Sequence, residues 1–167
     1  MEFLEKDLEQ IIYETSNNKL FSRGLTNILC YDSKKKRQLK IGNYGVCDLI
    51  FYTRSYDHDC SETVPLLEIN VLELKKDKIG ISAFLQAVRY AKGISHYLSK
   101  RNITNKISIV LIGRTIDVSD FIYLTDMLPT GFLTCYTYCY DVDGIKFNKE
   151  CNYVLTNHGL TYKIKEQ

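Results

Sequence analysis

Much that would announce a membrane, secreted or zinc-bound protein is missing from this chain. No apolar run approaches the roughly 20 residues needed to cross a bilayer. The N-terminus, MEFLEKDLEQ, carries acids at once and reads as neither signal nor transit peptide, so a cytoplasmic setting is expected. His58, His96 and His158 stand singly, with no zinc-spaced pair. Six cysteines are present (Cys30, Cys47, Cys60, Cys135, Cys139 and Cys151), but none has the two-residue spacing of a zinc knuckle or redox motif. They read as small reduced thiols, with Cys135 and Cys139 on one face of a strand. No glycine-rich phosphate loop precedes a helix, which argues against a nucleotide-driven motor. Net charge is only +2, too little for a strong overall pull toward nucleic acid. Repeats, low-complexity segments and linkers are lacking.

What is there suits one domain over residues 1–167, long enough to build a core without staples. Phe3, Leu4, Leu8, Ile11 and Ile12 mark one face of a helix over residues 2–14, ended at Asn17 and Asn18. A hairpin is expected next: Thr26–Tyr31, a basic turn at Asp32–Arg37, then Gln38–Ile41. The turn Gly42-Asn43-Tyr44-Gly45 leads into a strand, Val46–Tyr52. Polar residues Arg54–Thr63 read as an exposed connection. Next come a strand at Leu66–Lys75, a charged turn at Lys76–Gly80 and a helix over residues 81–100. Lys106–Gly113 and Phe132–Asp141 have strand composition, with a short helix at Val118–Leu128 between them. Beyond the turn signal Asp143-Gly144, short strands are expected near Lys146–Phe147 and Tyr153–Leu155. The strand–helix–strand unit Leu66–Gly113 should cross over right-handed and set parallel strands side by side. The expected class is α/β, with a mixed central sheet flanked by helices.

Charged residues in such apolar strands are costly unless paired or holding a metal. Asp48 lies in the first strand. Glu73 and Lys75, two apart, leave the same face of the second. Brought side by side, Asp48 and Glu73 would repel until one protonated. A hard divalent cation, Mg2+ or Mn2+, removes the conflict, with the Leu74 carbonyl as a further oxygen ligand. Lys75 would then orient or deprotonate water, or hold a phosphate. Phosphodiester hydrolysis suits this set. On the following helix, Gln86 and Tyr90 point the same way. Arg89, Lys92, His96 and Lys100 form a basic stripe there. With the run Lys34, Lys35, Lys36 and Arg37, this stripe supplies candidate phosphate contacts. Glu68 faces the other way from Glu73 and is not expected to be a ligand. Tyr136, Tyr138 and Tyr140 alternate along one strand, where packing is their expected role.

The segments GNYGVCD, LLEINVLELKK and FLQAVRY, in that order, resemble the PD-(D/E)XK nuclease superfamily. The pair Gln86 and Tyr90 is similar to the QxxxY motif of its RecB-like branch. ELKKDKIGISAFLQAVRY most resembles the nuclease domain of stand-alone endonucleases acting on branched, flapped or mismatched DNA, and EKDLEQII resembles that group's first helix. The likeness covers about residues 2 to 113. It implies a restriction-endonuclease-like fold with an αβββαβ core, and a metal-dependent DNA endonuclease that works as a homodimer. Asp48 and Glu73 would be metal ligands and Lys75 the catalytic lysine. Gln86 and Tyr90 would position the active site or touch nucleic acid. Glu5 would be the first-helix acid assisting the metal, with Glu9 one turn on as its competitor. Cys47 stands where the name-giving proline would be. The second class of function is a module that keeps the fold and binds nucleic acid or protein without cutting.

Overall fold

Two long strands paired antiparallel in one sheet give the chain its frame, and its helices cover the faces these strands leave bare. The computed structural model describes residues 4–26, 28, 32–57, 64–117, 119, 132–156 and 159–164. In chain order these form α1 (Glu5–Glu14), α2 (Asn17–Ser22), β1 (Lys34–Lys40), β2 (Val46–Asp57), β3 (Val64–Leu74), β4 (Lys78–Ile79), α3 (Ile81–Ser99), β5 (Asn105–Gly113), β6 (Thr115–Ile116), β7 (Phe132–Asp141), β8 (Gly144–Thr156) and β9 (Gly159–Ile164). A 3-10 turn, Gly42–Tyr44, precedes β2.

Seven strands make one mixed sheet in the order β1-β2-β3-β5-β7-β8-β9. β1, β2 and β3 are antiparallel neighbours; β5 and β7 join in parallel; β8 and β9 finish antiparallel. Helix α3 is the crossover that a parallel β3–β5 pair requires. The protein is therefore α/β, and the expected succession of helix, three antiparallel strands, helix and parallel strand is present. β4 and β6 pair as a separate short ribbon.

The central strands are apolar on both faces because both faces are covered. On one face, Ile50, Ile69, Val71, Ile107 and Ile109 pack with Phe84, Val88 and Ala91 of α3. On the other, Phe51, Leu72, Leu74, Val110 and Tyr136 pack with Leu8 and Ile12 of α1 and Leu20 of α2. Each buried Leu, Ile or Phe contributes roughly 1.5–3 kcal/mol, well above the strand preference of any single residue. Among the described residues no helix is long and apolar enough to cross a membrane.

Several boundaries differ from the sequence reading. Lys34–Arg37 is strand rather than turn, because Lys35 lies over Phe51 and Arg37 over Tyr13, so their stems cover apolar surface. Asn17 and Asn18 open a second helix instead of ending the first; the Ser16 hydroxyl caps it by accepting from the Lys19 N–H at 3.4 Å. Polar Arg54–Asp57 continues β2, since its backbone pairs with Val64–Leu67. Lys146–Phe147 and Tyr153–Leu155 belong to one continuous strand, β8, which also pairs with β9. Gly144 takes φ +109° at the β7–β8 turn, a conformation only glycine adopts cheaply. Cys135 is buried while Cys139 is exposed. The expected helix at Val118–Leu128, most of Thr26–Tyr31, and His58, His158, Cys30 and Cys60 lie outside the described residues.

Candidate active site

Strand register brings the acids together. The β2–β3 ladder runs to Leu49↔Leu72, so one step further Asp48 stands across from Glu73. Asp48 Oδ2 accepts from the Leu74 N–H at 3.3 Å, which ties its carboxylate to the end of β3. Glu73 is fully buried, on the same side of the sheet as α3. Lys75 lies just past β3 and its N–H continues the parallel ladder by donating to the Ile112 carbonyl at 2.8 Å. Its ammonium donates to Glu73 Oε1 at 2.8 Å and to Glu5 Oε1 at 3.1 Å. Glu5, in the first turn of α1, thus reaches the sheet end from the other side. Three carboxylates and one ammonium converge.

The electrostatics follow from this crowding. Burial pushes the Glu73 carboxyl up to about 7, and the Asp48 charge pushes the same way against the opposing pull of Lys75. Burial also raises Asp48, with the Leu74 N–H and Lys75 acting in the opposite direction. Burial alone would lower Lys75; its hydrogen bonds to Glu73 and Glu5 outweigh this and raise it. Glu73 Oε2 is buried and has no hydrogen-bond partner among the described residues. An unpartnered carboxylate oxygen in such a place is costly, roughly 1–3 kcal/mol or more.

Glu9 is elsewhere. It is buried, and Arg37 Nε donates to its Oε1 at 2.6 Å while Gln38 Nε2 donates to its Oε2 at 2.5 Å. Of the two first-helix acids, only Glu5 meets Lys75. Gln38 takes φ +51° between the pairs Arg37↔Leu49 and Leu39↔Cys47, a strained break in the ladder level with Asp48.

Gln86 and Tyr90 form a pair, with Gln86 Nε2 donating to the Tyr90 hydroxyl at 2.7 Å. Neither hydrogen-bonds Asp48, Glu73 or Lys75. Tyr90 is buried beneath the turn that feeds β2. A Cβ added to Gly45, at φ +117°, would lie 2.9 Å from the Tyr90 ring and 3.2 Å from the Arg89 guanidinium. At Gly93 an added Cβ would lie 2.6 Å from Tyr44. The pair therefore braces the Gly42–Gly45 turn, and through it Asp48.

The basic residues divide. Lys35 is occupied: its ammonium donates to the Ile12 carbonyl at 3.0 Å, to the Tyr13 carbonyl at 3.3 Å and to the Thr15 carbonyl, closing the C-terminus of α1. Burial lowers its pKa to about 8. Arg37 is bound to Glu9. Lys34, Lys36, Arg89 and Lys92 are exposed. Arg114, which no sequence motif marks, follows β5; its N–H donates to the Asp77 carbonyl at 2.7 Å, and Tyr138 donates to the Lys76 carbonyl at 2.6 Å. The available signal was topological, since parallel strands end on the same edge. Tyr136 and Tyr138 are buried and Tyr140 is exposed.

The Cys47 thiol is buried and pushed well up, first by that burial and then by Glu73 and Asp48, so it is a poor nucleophile. Among the described residues no three His, Cys, Asp or Glu side chains form a metal-holding group by themselves. The oxygens a cation could draw on are the carboxylates of Asp48 and Glu73, the Leu74 carbonyl named from the sequence, and the Glu5 carboxylate, which also meets Lys75. Hard oxygen donors of this kind fit magnesium or manganese, and the unpartnered Glu73 Oε2 has a lone pair to offer such a cation. No family model, curated protein or solved structure matches the chain.

Proposed function

We propose that this chain is a metal-dependent nuclease of restriction-endonuclease-like fold, most suited to cutting DNA. One observation carries the reading: a fully buried glutamate, unpartnered at one oxygen, stands opposite an aspartate and beside a lysine. A structural ion pair has no need of the second acid. Asp48, Glu73 and the Leu74 carbonyl would hold Mg2+ or Mn2+, with Glu5 close by. Bound there, the cation would lower the pKa of water and offset charge developing on phosphate.

The chain's own residues supply the rest. Lys75, oriented by Glu73 and Glu5, holds a phosphate oxygen. Gln86 and Tyr90 act through the Gly42–Gly45 turn to position Asp48. Exposed Arg89 and Lys92, with Lys34 and Lys36, contact the phosphate backbone. In the reaction a water oxygen bonds to phosphorus and gives up a proton, the ester P–O bond breaks, and the departing oxygen takes a proton.

The test is digestion of linear, circular, flapped and single-stranded substrates, DNA and RNA, with Mg2+ or Mn2+. Cleavage should require metal and fall at least about 100-fold in Glu73→Ala and Lys75→Met. Intact substrate with every metal, or full activity in Glu73→Ala, overturns the reading. The alternative, a module that binds without cutting, draws on the ion pairs Lys75 already makes with Glu73 and Glu5. Calorimetry separates the two: a non-catalytic module gives no Mg2+ heat that depends on Asp48 and Glu73.

A further inference from the structure

A second polar site lies on the opposite face of the sheet from Glu73. The parallel register places Glu68 beside Lys106 and Asn70 beside Ser108, and Ser108 beside Phe132. These side chains, with Ile28 and Thr134, line a cavity of about 200 Å3. Asn70 is only 2 % exposed, and its Nδ2 is buried with no hydrogen-bond partner among the described residues. Three strands of an otherwise apolar core thus turn polar at one spot, about 10 Å back along β3 from Glu73.

Such an arrangement is expensive if it does nothing. A buried amide donor without a partner is left with the full penalty of losing its water, and a leucine at position 70 would avoid that cost. The surrounding groups are complementary rather than random. Asn70 offers a donor. Lys106, its ammonium 4.6 Å from the Phe132 ring centroid, offers another and makes no ion pair among the described residues. Glu68 offers an acceptor and is held in place by the Ser55 hydroxyl, which donates to its Oε1 at 2.7 Å. Phe132 adds a flat apolar wall. The cavity lies below the roughly 300–1,000 Å3 of drug-sized sites, so its ligand is a single small ring system.

We propose that this cavity binds a nucleobase whose edge carries a carbonyl next to a ring N–H, as in guanine or uracil. The carbonyl accepts from Asn70 Nδ2 and Lys106. The ring N–H donates to Glu68. Phe132 contacts the ring. Adenine lacks both the carbonyl and the ring N–H on that edge, so the site discriminates against it. The site draws on none of the residues assigned to metal binding.

Titration of the full chain with free guanosine, uridine and adenosine, followed by NMR in EDTA, tests this. Guanosine or uridine should give saturable shifts centred on the Asn70 side-chain amide and Ser108. Adenosine should bind at least about tenfold more weakly, as should guanosine or uridine to Asn70→Leu and Lys106→Ala. Lys106 is exposed, so its variant reads binding even if position 70 proves critical for folding. No saturable shift with any nucleoside, equal binding of adenosine, or unchanged binding in Lys106→Ala would overturn the assignment. A cavity that holds only solvent gives the first of these results. Because EDTA is present, this outcome is separate from the fate of the nuclease reading.

Discussion

Replacing Glu73 by Gln should stabilise the metal-free protein while abolishing its response to metal. Glu73 is fully buried, and its carboxyl rises from 4.5 to about 7. Between those values the unfolded chain has released the proton and the folded chain still holds it. The folded state therefore binds more protons, and stability falls as pH rises, by about 1.4 kcal/mol per unit. The loss is absent below the unfolded value and complete above the folded one, where it totals about 3 kcal/mol. This figure already includes the favourable contact with Lys75, because the shift is the net of burial, Asp48 and Lys75. The amide of Glu73→Gln carries no titrating proton, so this slope disappears. Urea unfolding of both proteins in EDTA, from about pH 4.5 to 8, measures it. The stability of Glu73→Gln relative to wild type should climb by about 3 kcal/mol across that range. A difference that stays flat, or that turns in favour of wild type as pH rises, refutes the reasoning. It would mean that Glu73 is ionised and net stabilising as a partner of Lys75.

Saturating Mg2+ at about 100 times its Kd should raise wild-type stability by about 2.7 kcal/mol and leave Asp48→Asn and Glu73→Gln unmoved, as thermal melts would show. Lys35→Ala should cost about 1–3 kcal/mol by orphaning the carbonyls at the end of α1, yet leave DNA affinity unchanged. Arg89→Ala and Lys92→Ala should do the reverse, each lowering the salt dependence of DNA binding by about one in log–log slope while stability holds. Gly93→Ala should destabilise by about 1–3 kcal/mol, because its Cβ would meet Tyr44 at 2.6 Å and displace the turn ahead of Asp48.

The residues singled out from the sequence come together unequally in the fold. Asp48, Glu73 and Lys75 meet through register. Gln86 and Tyr90 meet each other, but reach the acids only by way of the Gly42–Gly45 turn. Of the four lysine and arginine residues in the run at 34–37, Lys35 and Arg37 have structural partners inside the protein. A basic run on a strand alternates between faces, so half of its charges turn toward the α1 side.

From the chain alone came the β-branched and apolar runs that become β2, β3, β5 and β7, the long helix α3, and the spacing that puts Glu73 and Lys75 on one face. These are local matters, set by the periods of strand and helix. Tertiary structure decided the rest. Which first-helix acid meets Lys75 depends on where α1 crosses the sheet end. That Arg54–Asp57 is strand depends on the backbone of Val64–Leu67 lying alongside. The polar cavity at Asn70 exists because three strands from distant parts of the sequence bring their polar residues to one place. Periodicity speaks to a few neighbouring residues, while register and packing join positions tens of residues apart.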